Sequence, residues 1–185
     1  IRGADDRTGR PDSSGNRRMT ANPTEVQRAG LSAAVDRLST HSTEWSCERV
    51  LDEGLDLVRD CSWADASMLY SVAPDRVVEL SRRPVSPWPT PAELPLDWFP
   101  WGLAPLSPQR YLLVEDATAL PVSPGSGETL GDLGIRSCLH LPILERSVPV
   151  GAVHLYWSEP RLHWDDERGR LLRTLGRFLL ARASG

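Results

Sequence analysis

The chain has 185 residues, enough for one domain with a self-sufficient core, and a formal net charge of −4. All 21 basic residues are arginine, and without lysine there is no Schiff-base amine, P-loop lysine or Ser-x-x-Lys nucleophile, which excludes those enzyme classes. Residues 1–22 hold five arginines and three aspartates among glycines and serines, leaving 16 arginines against 22 acidic residues beyond them, which is not a nucleic-acid binder's balance.

Residues 1–22 read as a disordered lead-in and residues 23–184 as one domain. Within that domain Leu31, Ala34, Val35 and Leu38 follow the i, i+3, i+4, i+7 spacing of a helical face. Ser42 or Thr43 is then placed to cap a second helix, whose apolar stripe is Leu51, Leu55 and Val58 and which ends near Cys61. Cys47 and Cys61 fall on that helix and are expected to pack as small buried thiols. The period changes to two in "ASMLYSV" and "RVVELSR", joined by "APD", which predicts a hairpin.

Residues 84–110 contain eight prolines and no periodicity, and read as a long loop. Its aromatic run, Trp98, Phe99 and Trp101, suits either a lid over a pocket or surface packing. "RYLLVEDA" predicts another strand, and "LPVSPGSGETLGDLG" a loop whose glycines do not match the dinucleotide fingerprint. "RSCLHLPIL" and "VPVGAVHLYW", joined by "ERS", form the strongest antiparallel hairpin. The chain closes on an amphipathic helix with Asp165 at its cap, Leu171, Leu172, Leu175, Phe178 and Leu179 on one side, and Arg170, Arg173 and Arg177 on a solvated one.

That order predicts an α+β fold, an antiparallel sheet with N- and C-terminal helices packed on one face and a loop-covered pocket on the other. The residues "LGIRSCLHLPILERSVPVGAVHLYWSEPRLHWDDERGRLLRTLGRFL" resemble the closing half of a GAF domain. The marks are a Gly-Ile-Arg-Ser entry, a strand ending in Leu-Pro, a Val-Gly strand, a Trp at a helix start and a leucine-rich final helix. The resemblance implies a small-molecule sensory domain in signal transduction, cytoplasmic and homodimeric through its terminal helices, with the ligand and any cofactor unidentified.

Alternation places Cys138 and His140 on one side of their strand, and Ala152, His154 and Tyr156 on one side of the next. The hairpin makes His140 and His154 cross-strand neighbours. The leucine and valine side is the natural seat of the helices, so the mixed side should face the pocket. The expected ligand-binding set is Tyr70, Trp98, Phe99, Trp101, Cys138, His140, His154 and Tyr156, with no catalytic and no metal residues. Three chemistries fit the Cys138 and His140 pair: a polar pocket wall, ligation of haem or a metal, or thiol chemistry. The third is suggested because some GAF proteins are free methionine sulfoxide reductases. This sequence departs from those enzymes' closely grouped cysteines, and from the Cys-His dipeptide of bilin-bearing GAF domains, since Leu139 intervenes here. Three cysteines with no C-x-x-C spacing fit a reducing compartment, and no run approaches the roughly 18 apolar residues of a membrane span.

Overall fold

A computed structural model describes residues 23–84, 93–95, 111–119 and 134–185, with backbone alone for 23–29, 31, 93–95 and 119. The elements are helices α1 (Pro23–His41) and α2 (Cys47–Ser62), strands β1 (Ala66–Val72), β2 (Arg76–Arg83), β3 (Glu93–Pro95) and β4 (Leu112–Val114), a 3₁₀ turn at Ala117–Ala119, strands β5 (Ser137–Glu145) and β6 (Val148–Trp157), and helix α3 (Asp166–Ser184). The six strands form one antiparallel sheet in the order β3-β2-β1-β6-β5-β4. The α+β architecture is therefore as expected, with one strand more than the sequence suggested. β3 lies inside the stretch read as loop. Three residues are too few to show a period, and Pro95 is tolerated because β3 is an edge strand.

The α2 stripe buries Leu51, Leu55 and Val58, as its spacing predicted, and Val50 beside them. Its cap is Ser46, whose Oγ accepts from Arg49 N at 3.3 Å, and not Ser42 or Thr43. The reason is local. Glu44 N and Trp45 N both donate to His41 O at 3.0 Å, so residues 42–45 close α1 before α2 begins. Asp165 does cap α3, accepting from Glu167 N at 3.0 Å.

Burial divides into two clusters, one on each side of the sheet. On one, Leu139, Leu141, Ile143, Val153, Leu155 and Trp157 pack with Leu38 of α1, the α2 stripe, and Leu172, Leu175 and Leu179 of α3. Glycine lets the layers approach. A Cβ on Gly176 would stand 2.6 Å from Val153 Cγ2, and one on Gly54 would collide with Leu179. Arg170 and Arg177 are exposed as expected of the polar side of α3, but Arg173 is half-buried, and burial lowers its pKa. Cys61 packs against this cluster. Cys47 does not: it is the exposed first residue of α2, outside the buried stripe, and its Sγ donates to Arg182 O at 3.1 Å.

Candidate functional site

The second cluster holds Ala66, Met68, Tyr70, Val77, Val114, Ala117, Ile135, Cys138 and Tyr156. It lies on the side of the sheet away from the helices, where alternation placed the mixed residues. Pairing sets His140 opposite His154 and Cys138 opposite Tyr156 across β5 and β6, and Met68 opposite His154 across β1 and β6. Tyr70, Cys138, His140, His154 and Tyr156 are thus brought together. Trp98, Phe99 and Trp101 lie outside the described residues, as does the lid expected of them.

The grouped side chains form a continuous polar row. Cys138 Sγ lies 3.3 Å from His140 Nε2, and the two imidazoles meet edge to face with centroids 4.1 Å apart. His154 Nδ1 is 3.3 Å from the Tyr156 hydroxyl, and the Tyr70 ring sits 4.6 Å from that of His154. The Tyr70 hydroxyl donates to Met68 Sδ at 3.2 Å. All five predicted residues are 5% exposed or less. Burial fixes their protonation, because removing a charged form from water is costly. It pushes the Cys138 thiol up to about 12 and His140 down to about 4. His154 falls well below its ordinary value through burial and then through the charge of His140, and Tyr156 rises well above its own, mainly through burial. At neutral pH the two imidazoles are neutral, and Cys138 and Tyr156 keep their protons.

One border of the row is held by Asp116. Its Oδ1 accepts from Thr118 Oγ1 at 2.7 Å and Thr118 N at 3.0 Å, and its Oδ2 accepts from Arg136 Nη2 at 3.2 Å. Those contacts, Thr118 foremost, lower its pKa to about 2. They fix the turn that carries Ala117, next to Ile135 and Cys138 in the cluster.

Two site-face residues were missed in the sequence, Glu79 and Arg82. Strict alternation sends residues three apart to opposite faces. A bulge prevents that: Leu69 pairs with Ser81 but Tyr70 with Glu79, leaving Leu80 as the extra residue, so Glu79 and Arg82 face the same way as their partners Tyr70 and Met68. Arg82 Nε donates to Glu79 Oε1 at 2.6 Å and Nη2 to Oε2, a two-point ion pair. The sequence signal was the pair of charges in a half-apolar strand, but nothing local marks the bulge.

Among the described residues no group of three or more His, Cys, Asp or Glu is placed to hold a metal ion. Cys61 and Cys138 belong to clusters on opposite sides of the sheet, so they cannot meet. No described helix is long and apolar enough to cross a membrane.

The GAF domain family matches residues 46–181, nearly three-quarters of the chain. The chain belongs to the GAF domain family, whose members serve as sensory and signalling domains. No curated protein is a significant sequence match. Among solved structures, the chain is similar to the GAF domain of a phosphoenolpyruvate-protein phosphotransferase from Coxiella burnetii, at 17% identity and a TM-score of 0.66, covering 88% of this chain and 95% of that one. The corresponding Acinetobacter domain shares 19% identity with a TM-score of 0.63, covering 86% and 93%. A phycoerythrobilin-bound GAF domain from a cyanobacterial phytochrome shares 17% identity with a TM-score of 0.65, covering 85% and 97%. At these identities the likeness is one of fold.

Proposed function

We propose that the chain is a sensory domain that binds a small molecule against the polar face of its sheet, has no catalytic activity of its own, and transmits occupancy to the helix layer behind. The observation that carries this reading is the buried row of Tyr70, Cys138, His140, His154 and Tyr156 on the face away from the helices. A core whose only task is stability gains nothing from polar groups that must be satisfied out of water. Aliphatic side chains serve there at lower cost, as they do on the helix side of the same strands.

Two other chemistries fit the row less well. Thiol catalysis needs a thiolate, and burial holds Cys138 protonated. Metal or haem ligation needs donors that converge on one point, whereas Cys138 is directed at His140 and His154 at Tyr156. The reading includes a cytoplasmic homodimer joined through the terminal helices, which sedimentation of the purified chain tests directly. Native mass spectrometry, an absorbance spectrum and a metal assay on the purified protein test the ligand. A stoichiometric retained molecule, displaced when His154 is changed to Leu, supports the site. A clean apoprotein whose melting temperature no small molecule in a broad set raises would sink it and leave a structural module.

A further inference from the structure

The outer side of α3 gathers charge of one sign. From residue 168 to residue 185 the sequence has five arginines and no acidic residue, in a chain whose net charge is −4. Arg173 stands three residues from Arg170 and four from Arg177, the spacings at which like charges on a helix repel. Arg170 and Arg173 lie in the first half of α3, away from the last turn, where the helix dipole favours cations. α2 disperses its charges instead, with Arg59 between Asp56 and Asp60. Arg170 and Arg177 form no ion pair among the described residues, and Arg177 Nη2 donates to Leu144 O at 3.1 Å. Helical spacing lays this side out in three parallel rows. Thr174 and Ala181, both exposed and seven residues apart, make the middle row. Arg170 and Arg177 flank it on one side, and the half-buried Leu171 and Phe178 on the other. A sevenfold repeat with an apolar border, a small centre and a charged border is the pattern of a helix-pairing seam.

We propose that this face of α3 docks an acidic, amphipathic helix of a partner protein, whose apolar stripe lies on Leu171 and Phe178 and whose carboxylates meet Arg170 and Arg177. Charge selects the occupant. Two copies of α3 would set Arg177 against Arg182 if parallel and Arg170 against Arg177 if antiparallel, so a homodimer joins away from this seam. A membrane takes up apolar side chains that are free to enter it, whereas Leu171 and Phe178 are packed against the core. A nucleic acid presents a density of negative charge that a chain of net charge −4 repels. A single helix with a few carboxylates beside its apolar stripe relieves the crowding of the arginines and covers the apolar border in one contact. The inference does not depend on the polar face of the sheet being a ligand site.

The test is a nuclear magnetic resonance titration of the isotope-labelled full chain with two amphipathic peptides, each three heptads long. Both carry leucine at the seam positions; one has glutamate at the flanking positions and the other lysine. The acidic peptide should shift the α3 amides and bind about tenfold more tightly than the basic one, and added salt should weaken it. The double variant Arg170→Gln/Arg177→Gln changes two exposed side chains, so it should melt within a few degrees of the parent. It should lose about fivefold in affinity for the acidic peptide, the worth of two exposed ion pairs. Should the variant fail to fold, the difference between the two peptides on the parent chain decides. Equal binding of the peptides, no shift of α3 amides by either, or an affinity that the variant keeps overturns the proposal. Binding to vesicles of phosphatidylserine and phosphatidylcholine without a response to the acidic peptide overturns it in favour of a membrane contact. A change of oligomeric state in the double variant overturns it in favour of a second copy.

Discussion

His140 and His154 are both buried from water, and their titration follows from it. An unfolded histidine has a pKa near 6.5, while burial lowers that of His140 to about 4 and that of His154 in the same direction. The groups facing them are Cys138, Tyr70 and Tyr156, with Glu79 and Arg82 at the border. Between pH 6.5 and 4 the unfolded chain binds protons that the folded chain refuses, so stability is complete above the unfolded value and is lost as pH falls towards the folded one. At about 1.4 kcal/mol per pH unit, His140 alone should remove on the order of 3 kcal/mol between pH 7 and 4. Urea midpoints measured down that range should fall more steeply for the parent than for His140→Gln, and parallel curves would refute the account. Glycine contacts give a second test at single positions. Gly176→Ala pushes a methyl to 2.6 Å from Val153 Cγ2, and should cost about 1 to 3 kcal/mol, the usual penalty of overpacking. Gly30→Ala, in a helix with nothing within 4 Å, should be neutral or stabilise by up to about 1 kcal/mol. Chemical denaturation of the two variants side by side separates packing from helix propensity.

The β5 and β6 hairpin carries four of the five described site residues and their register, and both depend on its turn. Glu145 pairs with Val148, leaving Arg146 and Ser147 as a two-residue loop with φ values of 49° and 69°. Both central residues of such a turn need positive φ, which a residue with a Cβ adopts at a cost of roughly 1 to 2 kcal/mol. Ser147→Gly should therefore raise stability by about 1 kcal/mol, less the extra freedom glycine gives the unfolded chain. A fall in the melting temperature would show that the serine side chain is needed in the turn. This hairpin was also the most legible element, because nine- and ten-residue strands with one leucine-rich and one mixed face declare their period. The face that bears Cys138, His140, His154 and Tyr156 followed from that period alone. What was not legible has physical causes. The Leu80 bulge depends on pairing with β1, so Glu79 and Arg82 could not be placed from the strand's own residues. β3 is held by pairing to β2 and is too short to signal itself. The α2 cap was displaced because residues 42–45 satisfy the end of α1, which several serines and threonines in a row do not reveal.

At the scale of the molecule, β2 joins the two layers. Arg82 points to the site face, while the next residue, Arg83, reaches the helix side, where its Nη2 pairs with Asp52 and its Nε lies 3.6 Å from Asp56 Oδ2. Both carboxylates belong to α2. That helix packs on α1 through the shared core and meets α3 where Gly54 abuts Leu179 and Cys47 Sγ donates to Arg182 O. A displacement of β2 on the site face is thus tied, one residue along, to the helix that touches both terminal helices. The tie is partly solvated, since Asp52 and Asp56 are 31% and 44% exposed, so screening holds its worth to the order of 1 kcal/mol. Arg83→Met keeps the aliphatic stem and removes the charge. Amide exchange in α2 should then rise about fivefold, the factor that 1 kcal/mol represents, while β5 and β6 stay within twofold of the parent. Arg37→Met breaks the exposed pair with Glu53, also on α2, at 3.2 Å, and should leave α2 protection almost unchanged. Equal exchange in the two variants would mean that β2 is not coupled to α2 through charge, and that apolar packing alone must carry any signal between the faces.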